Sequence, residues 1–207
     1  MSNLGRQAQW ENIYKITDAR ELSWFQADPA ISLDLIRATG LKTGASIIDV
    51  GGGTSCLVDA LLDNGFAAIT VLDISEKALA TTKARLGAQS DKVKWIVADV
   101  TVWQPSETYD IWHDRAAFHF LTDPKDQAAY ADRVLMAVRP GGHVIIGTFA
   151  PDGPERCSGL PVARHDAASL GEILGPSFEL IGSRNQRHQT PMGTIERYQF
   201  SRFRRLT

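Results

Sequence analysis

The 207-residue chain reads as a single α/β domain: an open sheet of five parallel strands, a C-terminal antiparallel pair, and helices on both faces. Three observations predict this. Strand-like apolar runs alternate with helix-like runs, the pattern of βαβ units around a parallel sheet. Four of those runs, Ile47-Ile48-Asp49, Val71-Leu72-Asp73, Ile96-Val97-Ala98-Asp99 and Ile111-Trp112-His113-Asp114, end in aspartate. Gly51-Gly52-Gly53 directly follows the first. In an open parallel sheet ligands sit beyond the carboxyl ends of the strands, so the pattern predicts four carboxylates converging on one acidic crevice.

The elements follow in order. A helix over Gln7–Lys15 leads to a loop, and Asp28-Pro29 offers an N-cap and first-turn proline for a second helix through Thr39, stopped by Gly40. Residues 1–40 form a helical lid segment and residues 41–150 the ligand-binding core. In the core, Ser55–Asp63 is the first crossover helix, closed by Asn64-Gly65, and Ser75 caps a second that runs to Leu86 before Gly87. Strand three is Val93–Ala98 and strand four Tyr109–Asp114. A helix from Lys125 to Val138 carries Ala128, Ala131, Leu135 and Val138 near helical spacing. Pro140-Gly141-Gly142 ends it and turns into a fifth strand, His143–Phe149. Residues 151–207 supply a Pro- and Gly-rich loop, a helix capped by Asp166, and strands Phe178–Arg187 and Ile195–Phe203.

Composition narrows the function classes. Hydrophobic residues at 43% and charged residues at 22% describe a globular protein with a sizeable core. A formal charge of -2 gives no whole-molecule footprint for nucleic acid. The arginines of the C-terminal stretch (184, 187, 197, 202, 204 and 205) read as a solvated strand face, with contact to an acidic partner as the alternative. Residues 1–25 are polar and charge-interrupted, and no apolar run is long enough to span a bilayer, so a cytoplasmic protein without membrane attachment is expected. Cys56 and Cys157 make neither a disulfide framework nor a metal-ligand spacing, and no metal is expected. Cys56 suits burial at a helix start, whereas Cys157 falls on a loop where a reactive thiol is the alternative.

An acidic crevice beside a glycine turn repels pyrophosphate and attracts ammonium or sulfonium. A dinucleotide fingerprint also wants a third glycine where this chain has Cys56. S-adenosyl-L-methionine carries both cations and no phosphate. Asp49-Val50-Gly51-Gly52-Gly53-Thr54-Ser55, Asp73-Ile74-Ser75, Asp99-Val100 and Arg139-Pro140-Gly141-Gly142-His143 occur in an order and spacing that resemble the Rossmann-like (class I) S-adenosylmethionine-dependent methyltransferases. The resemblance extends over roughly half the chain. It implies a seven-stranded mixed sheet, S-adenosylmethionine as methyl donor and S-adenosylhomocysteine as product.

The glycines leave room for a backbone passing against the ligand. Asp73, 20 residues past Gly53, can accept both ribose hydroxyls, with helix capping as the alternative, although Ser75 already suits that task. The resemblance gives Ile74 a place against the adenine. Asp99 would accept the adenine amine while the Val100 N–H serves the neighbouring ring nitrogen; a turn-initiating aspartate is the other reading. Trp103 either shields the purine or anchors a loop. Asp49 would hold the donor's ammonium indirectly, through water or the loop amides. Tyr14 and Trp24, within Trp10-Glu11-Asn12-Ile13-Tyr14 and Glu21-Leu22-Ser23-Trp24-Phe25, either face the sulfonium or anchor the lid.

His113-Asp114-Arg115-Ala116 bears on the chemistry. An arginine at a helix start opposes the helix dipole and wants a partner. Asp114 is one candidate, placing that carboxylate at the donor site; otherwise Arg115 faces the crevice and positions a carboxylate of acceptor or donor. His119, four residues later, is either a general base or a satisfied core histidine. The stretch is similar to the lysine methyltransferase branch, which has Asp-Lys-Gly here, and to the thiopurine branch, which has Asp-Arg-Gly. A small-molecule acceptor is expected and a protein lysine is second. The Asn-Pro-Pro-Tyr motif of amide and base methylation is absent. A dinucleotide reductase and a non-catalytic sensor are the readings from other classes.

Overall fold

The computed structural model describes residues 3–207. The elements in chain order are α1 (Asn3–Ile16), α2 (Ala30–Arg37), β1 (Ser46–Val50), α3 (Leu57–Asp63), β2 (Ala68–Asp73), α4 (Glu76–Leu86), β3 (Val93–Val97), β4 (Tyr109–Arg115), α5 (Pro124–Ala137), β5 (Val138–Phe149), β6 (Arg156–Cys157), β7 (Leu160–Pro161), α6 (Ala167–Leu174), β8 (Phe178–Gln189) and β9 (Ile195–Arg205). The main sheet has the order β3-β2-β1-β4-β5-β9-β8. β3, β2, β1, β4 and β5 are parallel, while β9 runs antiparallel to β5 and β8. The chain therefore folds as the Rossmann-like, seven-stranded mixed sheet that the alternating pattern predicts.

Each strand feeds two cores because successive side chains point to opposite faces. On one face Ile47, Ile69, Val71 and Ile111 pack with Ile36 of α2, Leu57 and Leu61 of α3 and Leu79 of α4. On the other, Ile48, Leu72, Trp112 and Val144 meet Tyr130 and Val134 of α5 and Leu170 and Leu174 of α6. Strands covered on both sides have no polar face, which is why they read as continuous apolar runs.

The caps set where the helices begin. Ser75 accepts the Ala78 N–H at 3.1 Å and starts α4 directly after Asp73. Asp166 and Ser169 form a reciprocal capping box at α6, as the sequence suggests for Asp166. Asp28 does not cap α2, whose N-cap position is Pro29 without a side-chain bond. The first crossover helix starts at Leu57, later than Ser55, because Ser55 Oγ accepts the Leu57 N–H. β5 begins at Val138, so Arg139-Pro140-Gly141-Gly142 is irregular strand and not a break, with the register slipping between Tyr109 and Ile111.

The inward face of α5 is Tyr130, Val134 and Ala137. Ala128 and Leu135, assigned to that stripe from spacing, are exposed. The alanine-rich sequence allows more than one apolar stripe, and the large Tyr130 ring decides the outcome by packing on Trp112 and Phe118. Cys157 is buried in the short β6 strand, where burial pushes its thiol up to about 11, so it is no reactive loop thiol.

Candidate functional site

A cavity opens beyond the carboxyl ends of β1, β2 and β4. Gly51, Asp73, Ile74, Asp99, Val100 and Arg115 line it from the sheet side, and Arg6, Trp10, Tyr14 and Trp24 from the N-terminal segment. A smaller arm continues past Gly51 to Asp49, Gly52, Thr54, Ser55 and His113. Residues spread over four sequence motifs thus reach one place because parallel strands deliver their ends to the same edge.

The glycine turn is held by the Gly51 N–H, which donates to the Leu72 carbonyl at 2.8 Å. Gly51 has φ +69°, and a Cβ there would lie 2.4 Å from the Ala117 Cβ. A Cβ on Gly52 would lie 2.6 Å from Val71 Cγ1. Gly53 sits one layer behind the cavity wall, its carbonyl accepting from Thr82 Oγ1 at 2.6 Å.

Asp73 is buried and accepts the Ser75 N–H at 2.8 Å, while Ser75 itself caps α4. Burial raises its pKa to about 7 despite that bond, with Asp49 and Glu11 adding to the rise. Asp99 accepts from Thr101 N–H and Oγ–H and from Arg6, whose Nη1 lies 3.1 Å from Oδ1 and 2.9 Å from Oδ2. Oδ2 thus keeps room for another donor. Trp103 packs near Trp112 and is an anchor, outside the cavity lining.

The expectation of four converging carboxylates needs correction at Asp114. Its side chain turns to the opposite face of β4, is fully buried, and accepts the Ala117 and Phe118 N–H groups and the Tyr130 hydroxyl. It lines neither the cavity nor its arm and does not pair with Arg115. Asp114→Ala should lower stability by about 1–3 kcal/mol at pH 4, since two buried donors and one half-buried donor lose their acceptor, and by less at pH 8, because burial raises the Asp114 pKa to about 6 and the variant no longer buries an anion. Urea denaturation measures this loss, and calorimetry should find S-adenosylhomocysteine affinity unchanged; a weakened affinity would return Asp114 to the ligand site.

Arg115 ends β4 and is not at a helix start. Its Nη1 donates to the Trp24 carbonyl at 2.7 Å and its guanidinium lies 4.6 Å from the Tyr198 ring centre. Nε and Nη2 are buried without partners. Ala116, where the resembling branches carry glycine, has φ +65°, a left-handed backbone that strains an L-residue by about 1–2 kcal/mol on the cavity wall.

His119 lies in a 3₁₀ turn, Phe118–Phe120, so the four-residue spacing from Arg115 places it on no shared helical face. It is fully buried, outside the cavity lining, and its Nδ1 accepts the Phe149 N–H at 3.4 Å. Burial and the Arg115 charge lower its pKa to about 3. A histidine so placed neither reaches an acceptor nor holds a proton at neutral pH, which corrects its reading as general base.

The N-terminal aromatics do assemble over the cavity. Trp10 lies edge-on to Trp24 and Phe120, with centroids 5.8 and 4.7 Å away, and Tyr14 packs edge-on to Trp24 at 6.4 Å. Glu11 fastens α1 by accepting the Glu76 N–H at 2.6 Å at the start of α4. Arg6, Phe120 and Leu121 are wall residues that sequence reasoning did not pick out. A lone arginine in a polar helix carries no signal of the aspartates, Asp99 and Asp126, that it joins.

Residues 47–142 match the methyltransferase-domain family. A malonyl-[acyl-carrier protein] O-methyltransferase of Paenibacillus sp. (strain JDR-2) is 29% identical over 131 residues, covering 61% of this chain and 46% of that protein. Thiocyanate methyltransferase 1 of Arabidopsis thaliana is 25% identical over 169 residues, covering 80% and 71%. The N-methyltransferase NodS from Bradyrhizobium japonicum WM9, solved with S-adenosylhomocysteine, superposes with a TM-score of 0.72 at 16% identity over 96% of this chain and 98% of that one. The chain spans about half the length of the malonyl-type relatives it matches. Its fold is that of the solved S-adenosylmethionine-dependent methyltransferases, and its core, residues 47–142, is similar to the methyltransferase-domain family.

The residues present fit S-adenosylmethionine. Asp49 Oδ2 is a buried carboxylate oxygen without a donor, and Arg115 offers two buried N–H groups without an acceptor. Orphaned buried atoms cost about 1–3 kcal/mol each, and both lie along one crevice where an ammonium and a carboxylate would satisfy them.

Proposed function

We propose that this protein is an S-adenosyl-L-methionine-dependent methyltransferase acting on a small-molecule acceptor. The observation that carries the reading is the gathering of Gly51, Asp73, Ile74, Asp99 and Val100 on one cavity beside the unpaired atoms of Asp49 and Arg115. S-adenosylmethionine, when bound, supplies an electrophilic methyl group on a sulfonium. The chain's own residues bind and orient. In this reading Asp73 accepts from ribose hydroxyls, Asp99 and the Val100 N–H face the adenine edge, Ile74 packs on its plane, and Asp49 faces the ammonium. Arg115 receives a carboxylate from donor or acceptor. Trp10, Trp24 and Phe120 keep water from the transfer, for which alignment supplies several kcal/mol. With His119 withdrawn from the cavity, the site suits an acceptor that is already a nucleophile, such as a thiolate, carboxylate or phenolate.

The relatives bearing on the acceptor carry a thiocyanate name, a small anion, and a malonyl-carrier name, a small acyl group on a carrier, and not those of the lysine or thiopurine branches. That favours the small molecule over a protein lysine. Incubation with methyl-labelled S-adenosylmethionine and a lysate, followed by separation into protein and small-molecule pools, tests it. Label in the small-molecule pool is expected. Label confined to protein and resistant to hydroxylamine, which releases carrier-bound acyl groups, would overturn the acceptor class, and binding of S-adenosylhomocysteine with no label transferred would make the protein a sensor.

A further inference from the structure

Asp49 does not stand alone beneath the glycine turn. It is the register partner of His113 on the neighbouring parallel strand, and its Oδ1 lies 2.7 Å from His113 Nδ1. The other ring nitrogen, Nε2, lies 2.9 Å from Ser32 Oγ on α2. All three residues are at most 2% exposed. A carboxylate only accepts, so Nδ1 carries the hydrogen shared with Asp49, while Nε2 shares the second bond with the serine hydroxyl. Three elements distant in sequence thus make one hydrogen-bonded line running from α2 to the crevice.

This line leaves Asp49 half satisfied. Oδ1 is held by the imidazole, whereas Oδ2 is buried without a donor. A Cβ at Gly52 would lie 2.7 Å from Oδ2, so that oxygen lies directly against the glycine turn. Asp49 and His113 both line the smaller arm of the crevice, with Tyr14 and Arg115. Among the described residues, the side chains of Ser32 and His113 have no hydrogen-bond partners beyond this line.

Resting on the cofactor reading above, we propose that His113 and Ser32 are positioning residues: they fix the rotation of Asp49 so that Oδ2 meets the ammonium of the donor's amino acid. Without the imidazole, Asp49 is free to turn toward the loop amides and the ammonium loses its aimed partner. The effect belongs to the amino-acid end of the ligand. The adenosine end, held at Asp73 and Asp99, does not use it.

Calorimetric titration of wild type, His113→Gln and Ser32→Ala with S-adenosylhomocysteine and with 5′-methylthioadenosine, which lacks the amino acid, separates the two ends. Loss of an aimed charged hydrogen bond predicts S-adenosylhomocysteine binding weakened about tenfold or more in His113→Gln and about threefold in Ser32→Ala, with 5′-methylthioadenosine within about twofold of wild type. Equal weakening of both ligands would assign the line a merely structural role, and unchanged S-adenosylhomocysteine binding would assign it none; either overturns the proposal. Should His113→Gln not fold, the same ratio is read in Ser32→Ala. Wild-type protein that binds neither ligand would instead reject the cofactor reading itself.

Discussion

Gly51→Ala is expected to abolish detectable S-adenosylhomocysteine binding and to lower the melting temperature by about 5–15 °C. Two effects add. The backbone at φ +69° costs an L-residue about 1–2 kcal/mol, and the new methyl group would sit 2.4 Å from the Ala117 Cβ, an overlap whose relief costs about 1–3 kcal/mol more. For a chain of this size each kcal/mol moves the midpoint by about 2–4 °C. The relief also moves the turn or the Ala116-Ala117 wall, and both face the ligand. Gly40→Ala is the control: φ is +75° but nothing lies within 4 Å, so it should show the backbone cost alone and bind normally. Scanning calorimetry and titration of both variants check this, and ligand affinity retained in Gly51→Ala would remove the turn from the site.

Asp73→Asn should separate binding from stability. In the ligand-free protein burial lifts the Asp73 pKa from 3.8 to about 7, so the folded state holds its proton more tightly than the unfolded chain does. The sign follows from linkage. Below about pH 4 the carboxyl is protonated in both states and costs nothing. Between about pH 4 and 7 stability falls as pH rises, and above about pH 7 the full cost of a buried anion remains. The asparagine variant keeps an acceptor for the Ser75 N–H but loses the second carboxylate oxygen that faces the Gly53 N–H, so its stability relative to wild type should be higher at pH 8 than at pH 4 by up to about 4 kcal/mol. Its affinity for S-adenosylhomocysteine should fall by about 1.5–3 kcal/mol, the worth of hydrogen bonds to a charged acceptor. Melting curves at the two pH values and a titration at pH 8 decide it. A variant that binds as wild type does would place the ribose elsewhere.

Much of the fold is legible because the strands carry their own signature. Runs such as Ile47-Ile48 and Val71-Leu72 are buried on both faces, and Ser75, Asp166 and Gly87 mark helix ends by local chemistry that needs no tertiary context. The slip at Val138 and the inward face of α5 are not local. The α5 face depends on Tyr130 finding Trp112 and Asp114 on β4. The candidate site divides in the same way. Asp73 and Asp99 are readable as carboxylates at strand ends. The acidity inferred from counting such residues is not, since Asp99 is answered by Arg6, Asp49 by His113 and Asp114 by two amides and a phenol. Formal charge appears in a sequence; the donor that offsets it appears only when distant segments meet.

The cavity roof has a consequence for how the molecule holds itself together. Trp10, Trp24 and Phe120 belong to three separate stretches of chain, and Trp10 touches the other two only while α1 is docked. A ligand filling the space beneath them would touch both the leading helix and the sheet, so its binding is expected to slow proteolysis within that helix. Arg6 of that helix is tied to Asp99, a residue of the very wall the ligand must touch.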